Sequence, residues 1–169
     1  MGDFLGLRAI FIIGLFLTPA WGADHLDHPY FEALKGEWVG EGEATDAQGV
    51  TTTIHEEWTA ESEGDRFAVR GTRQWGEASQ EYRWIFVFNV STELFEAEYW
   101  QTGMDNDTIF EVSLSDTSAE MRTSFGGPGG ELLVSNSLIN KGIAGVVKFT
   151  DGAGIVLLEG NVKHEKREN

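Results

Sequence analysis

The chain has 169 residues, with 28 acidic against 12 basic side chains, a formal charge of −16 and no cysteine. A surface this acidic disfavours nucleic acid and anionic membranes, which select basic patches. Without cysteine there is no disulfide and no thiolate chemistry, and the length suits one domain with a sizeable core.

Residues 9–17, Ala-Ile-Phe-Ile-Ile-Gly-Leu-Phe-Leu, form an apolar run behind Arg8 and ahead of Ala20-Trp21-Gly22. Small residues flanking a large one after a short apolar run predict a cleaved signal over residues 1–22. The protein is therefore expected to be exported, periplasmic or extracellular. The run is short for a helix across about 30 Å of hydrocarbon. No later segment is longer, so no stable membrane span is expected after cleavage. The charge of −16 survives that cleavage, because Asp3 and Arg8 cancel. Export without disulfides points to a bacterial envelope. Residues 23–35 read as a tail and a short helix, with Tyr30, Phe31 and Leu34 at helical spacing. His25 and His28 in that tail read as solvated residues rather than metal ligands.

From residue 36 onward the apolar period is two. Tyr82, Trp84, Phe86 and Phe88 fall on one face of a strand, with Arg83, Ile85 and Val87 on the other. Phe95-x-Ala97-x-Tyr99, Phe110-x-Val112-x-Leu114 and Met121-x-Thr123-x-Phe125 repeat the pattern, which is that of half-buried strands. Strands are predicted at 37–45, 51–61, 65–74, 79–89, 93–101, 107–115, 118–125, 131–140, 143–150 and 154–164. Clusters of Gly, Asn, Asp and Ser between them read as hairpin turns. The fold class is all-β. A meander of this length loses its edges by closing, so an antiparallel up-and-down barrel of about 8–10 strands is expected. It should span residues 36–164, leaving 165–169 as a polar tail; a sandwich is the alternative.

Leu34-Lys35-Gly36-Glu37-Trp38-Val39-Gly40 carries Gly-x-Trp behind a short helix. Further on, Trp84-Ile85-Phe86-Val87-Phe88-Asn89, a turn, and Phe95-Glu96-Ala97-Glu98-Tyr99-Trp100 pair two aromatic strands. This arrangement resembles the calycins, the lipocalin-like barrels, and uncharacterised bacterial exported families sharing that barrel. It is more distantly similar to the nitrobindins. The resemblance covers most of residues 30–162. It implies a barrel whose base is closed by Trp38, and it implies interior binding of a small molecule. Nitrobindins hold haem through a His near the chain end, and His164 is the positional match. Its neighbours Asn161, Lys163, Glu165 and Lys166 are polar, unlike an axial ligand's setting, and no cofactor is assigned.

Other motifs read as structure. Asp105-Asn106-Asp107 lacks the alternating ligands, Gly and distant Glu of a calcium loop. Gly126 to Gly130 lacks the Lys-Ser/Thr ending of a phosphate loop and reads as a hairpin. There is no Gly-x-Ser-x-Gly. Glu96 and Glu98 share a strand face, read as the outer one. The pattern that points to binding is aromatic and basic together: Trp58, Phe67, Trp75, Trp84, Phe86 and Tyr99, with Arg73 among them. Aromatic rings give large apolar walls with polar tips. Arg73 is in phase with Phe67, Val69 and Trp75, so it is expected inward, where a guanidinium could hold a carboxylate or phosphate. The expected partner is a small apolar or amphipathic ligand. One barrel hosts many functions, and two other readings stand. One is an isomerase or hydrolase using an inward carboxylate or His, near His55 or Glu56. The other is a filled barrel acting through its surface, with aromatics as core and arginines paired outside.

Overall fold

The computed structural model describes residues 25–124 and 129–168. The expected signal segment, and all but Gly129 and Gly130 of the glycine turn, lie outside them. Helix α1 (Pro29–Leu34) leads into ten strands. These are β1 (Gly36–Asp46), β2 (Thr51–Glu63), β3 (Arg66–Trp75), β4 (Ala78–Asn89) and β5 (Leu94–Gln101), then β6 (Thr108–Ser115), β7 (Ser118–Ser124), β8 (Glu131–Ile139), β9 (Gly142–Thr150) and β10 (Val156–Lys166). Each strand pairs antiparallel with its sequence neighbours, and β1 pairs with β10 from Trp38↔Lys166 to Asp46↔Leu158. The sheet is a closed up-and-down barrel. Eight strands would leave an interior filled by side chains, whereas ten make it wider.

The period of two decides what faces inward. In β2, Ile54, Glu56, Trp58 and Ala60 are buried while Thr53, Glu57 and Thr59 are exposed. In β4 the inward set is Tyr82, Trp84 and Phe86. Two of the hairpins at the end away from α1 are built alike. Asp46 Oδ1 accepts the N–H groups of Gln48 and Val50, and Asp151 Oδ1 those of Ala153 and Ile155, all at 2.9 Å. Gly49 and Gly154 supply the left-handed backbone each turn needs, at φ 79° and 80°.

The other end is closed by α1. A six-residue helix cannot persist alone, so its docking holds it. Pro29 opens it, and the His28 Nδ1 caps it by accepting the Tyr30 N–H at 3.3 Å. Its Phe31 ring is fully buried against Phe67, Phe86 and Phe95, with centroids 4.7, 5.4 and 5.5 Å away. Leu26 is buried, and His25 stacks on Phe88 at 3.7 Å. The tail thus touches the barrel through Leu26 and the His25 ring stack, while His25 and Asp27 stay exposed as expected and His28 caps the helix. Trp38 completes the closure. Its indole N–H donates to the Leu34 carbonyl at 2.8 Å, its ring stacks on Trp58 at 5.3 Å, and the Lys166 ammonium lies 5.5 Å above it.

Candidate functional site

Inside the barrel lies a cavity of about 380 Å³, within the size range of small-molecule sites. Tyr30 and Leu34 of α1 form its floor. Trp75, Gln101, Met104 and Thr108 line it near the β3–β4 and β5–β6 connections, at the opposite rim. Aromatic rings make one wall: Trp84 sits 4.4 Å from Tyr99 and 4.9 Å from Phe110. Aliphatic side chains of β8 to β10, such as Val134, Val147 and Leu158, make the other.

A polar cluster interrupts these walls. His164, Gly40, Glu56 and Arg73 stand in one row across β10, β1, β2 and β3. Glu56 and His164 are two strands apart, a gap of roughly 9.5 Å between backbones. They meet because Gly40 has no side chain. A methyl there would sit 2.3 Å from His164 Cδ2. On the other side of the His164 ring, a methyl at Gly145 would sit 3.5 Å from Cε1. Across this slot the His164 Nε2 lies 2.8 Å from Glu56 Oε2, while Arg73 donates its Nε–H to Glu56 Oε1. The Arg73 guanidinium lies 4.8 Å over the Tyr82 ring, and Nη1 is 3.4 Å from the Tyr99 hydroxyl, which donates to Gln101 Oε1 at 2.5 Å.

The electrostatics follow from this geometry. Burial alone would raise the Glu56 carboxyl, but the His164 hydrogen bond and the Arg73 guanidinium hold it below its ordinary value. An ionised carboxylate only accepts, so Nε2 of His164 carries the proton it shares. In neutral imidazole Nδ1 is then a lone pair, and it is buried without a hydrogen-bond partner among the described residues. Burial raises Tyr82 and Tyr99, so both remain hydroxyls. Glu56 thus links fold and acidity. Because its folded value is depressed, its stabilisation is full above the ordinary 4.5 and is lost as pH falls through the folded value. Thermal midpoints measured against pH should fall more steeply below about 4.5 in the wild type than in an E56L/R73L variant; parallel curves would show that Glu56 is not responsible.

Six of the seven residues expected to form ligand walls line the cavity: Trp58, Arg73, Trp75, Trp84, Phe86 and Tyr99. Phe67 does not. It lies under Phe31 with no exposed surface, in the packing that docks α1. Arg73 does point inward, but its charge is already met by Glu56, so the expected open cradle for a carboxylate or phosphate is absent. Arg70 and Arg83 face outward and pair with Glu63 and Asp107. His55 also faces outward, 2.6 Å from Glu41, which raises its pKa. His164, whose neighbours read as polar, is 5% exposed and inside. Its Nε2 is taken by Glu56 and its Nδ1 has no open surface, so the residues do not fit an axial haem ligand. Among the described residues no group of three or more His, Cys, Asp or Glu is placed to hold a metal ion.

Fold and cavity together define a closed, ten-strand up-and-down barrel with an interior site. Known structures share that architecture. An S-type phycobiliprotein lyase, CPES, from Guillardia theta superposes with a TM-score of 0.56 at 9% identity, over 83% of this chain and 92% of that one. A protein of unknown function from the DUF3598 family of Nostoc punctiforme superposes with a TM-score of 0.56 at 13% identity, over 81% of this chain but 49% of that one. The present chain therefore spans about half the length of the second protein. At such identities the likeness establishes the fold. No family model matches the chain, and no curated protein matches it. No described helix is long and apolar enough to cross a membrane.

Proposed function

We propose that this chain is an exported, lipocalin-like binding protein that holds a small, largely apolar ligand inside its barrel. The observation that carries the reading is the cavity of about 380 Å³, walled by Trp58, Trp84, Tyr99 and Phe110 and floored by α1. A ten-strand barrel encloses this space, and its cost in lost packing is offset when a ligand supplies the missing contacts. The architecture shared with a phycobiliprotein lyase is compatible with small-ligand binding. Export rests on the apolar run at residues 9–17 and on Ala20-Trp21-Gly22.

Native mass spectrometry of the protein, purified gently from its own compartment, tests this. A reproducible adduct that leaves on denaturation is expected. Val134→Phe, which projects extra volume from the cavity wall, should reduce that adduct roughly tenfold and cost about 1–3 kcal/mol if overpacked. A wild type that stays bare when offered apolar ligands would sink the proposal.

One observation favours a second reading, an acid–base enzyme on the same barrel. A carboxylate that fixes one imidazole nitrogen frees the other as a base, and Glu56 stands in that relation to His164. Against it, Nδ1 presents no surface to the cavity. A bound ligand recovered with altered mass would favour the enzyme; recovery unchanged would favour binding.

A further inference from the structure

Glu56, Arg73 and His164 are the ionisable side chains, apart from tyrosines, that line the cavity among the described residues. The Glu56 carboxylate and the Arg73 guanidinium cancel, and His164 Nε2 is turned to the same carboxylate. An incoming carboxylate would meet a cation whose counter-ion is already in place. It would lose its hydration and gain no net attraction, the condition in which burying a charge is unfavourable. A neutral oxygen loses far less.

The same cluster leaves hydrogen-bonding capacity unused. Guanidinium carries five N–H groups. Arg73 directs its Nε–H to Glu56 and has one long contact, 3.4 Å, to Tyr99. No described residue accepts from Nη2. The Tyr82 ring lies below the guanidinium, 4.8 Å from it. A carbonyl or hydroxyl oxygen placed there would find a donor on Arg73, while a hydrocarbon body lay along the rings toward Trp84 and Phe110.

From this we infer that the interior site selects a neutral, oxygen-headed amphiphile, such as a long-chain alcohol or ketone, and rejects the matching carboxylate. The selection rests on the proposed interior binding and is made by Glu56, which neutralises Arg73. Glu56 is a specificity-determining residue.

Decanol and decanoate are suitable probes at about pH 7, where the acid is ionised. Titration into the full mature chain can be followed by tryptophan fluorescence, because Trp58, Trp75 and Trp84 line the cavity. The wild type should bind decanol roughly tenfold or more tightly than decanoate. Any apolar cavity leans that way, so Glu56→Gln decides the cause. It leaves the Arg73 cation uncompensated and should shift the ratio at least tenfold toward decanoate. A wild type that prefers decanoate, or an E56Q variant with the unchanged ratio, would overturn the inference while leaving interior binding intact. Failure of both probes to bind would overturn the binding reading itself. Should E56Q not fold, E56L/R73L serves instead: it should lose roughly tenfold in decanol affinity, and an unchanged affinity overturns the assignment of the oxygen to Arg73.

Discussion

Replacing Glu56 by leucine is expected to lower stability by about 3–5 kcal/mol, and replacing Arg73 by leucine at the same time to restore most of it. The single change leaves a guanidinium inside the barrel without its counter-charge, and a His164 Nε2–H without an acceptor. Arg73→Leu alone strands the carboxylate instead. Each single has its own route of relief. The Glu56 side chain is 7% exposed and that of Arg73 is 22%. The carboxylate can neutralise itself by taking a proton, whereas the guanidinium cannot but can draw on water through its exposed fraction. Both routes soften the loss, which places each single toward the lower end of the range. In the double variant two leucines replace a charged pair with apolar volume in a cavity wall that also carries Ile54 and Val69, and such exchanges are often neutral or stabilising. For a barrel of this size about 3–4 kcal/mol corresponds to a fall of about 10 °C in midpoint. Thermal unfolding of the wild type, the two singles and the double closes the cycle. Costs that simply add would mean that the two residues do not act as a unit.

The strands were legible because each buries one face. Every predicted strand lies within two residues of an observed one at each end, and even the inward phase of Arg73 could be read from Phe67, Val69 and Trp75. Height along the barrel was not legible. A period of two gives the face of a residue but not its level, which depends on register across strands far apart in sequence. Phe67 shows this: it shares the inward face with Val69 but lies one layer nearer α1, so it packs under Phe31 instead of lining the cavity. His164 was obscured by composition. Lys163 and Glu165 are its sequence neighbours yet point outward, while Val162, in phase with it, lines the cavity. Glu56 was in phase with Ile54 and Trp58, and in so acidic a chain its inward position carried no warning of a partner 108 residues away. The signal that could have revealed the pair is Gly40, a glycine at an inward position of a long strand. It marks a place where a neighbour's side chain takes the space of a missing one, and here that neighbour is His164.

Phe31→Ala is expected to cost about 3–5 kcal/mol, as for other large aromatic truncations in packed cores, and so to lower the midpoint by about 10 °C. The ring has no exposed surface and touches three other phenylalanines from three different strands, β3, β4 and β5. It is the main apolar anchor of a helix too short to hold its own shape. Removing it should therefore do more than leave a void: α1 should detach locally while the barrel hydrogen bonds persist. Amide exchange in residues 29–34 should become much faster than in β1 to β10, because local opening no longer requires global unfolding. Tyr30 and Leu34 form the cavity floor, so the same change should shorten the residence time of any interior ligand. Leu94→Ser provides the contrast. That side chain is near the same end but 54% exposed, and its loss should stay within about 0.5 kcal/mol. Equal effects from the two substitutions, or uniform acceleration of exchange across α1 and the strands, would show that α1 is not a separable plug. A fast-exchanging α1 above a protected barrel would identify the helix as the element that closes this cavity from one end.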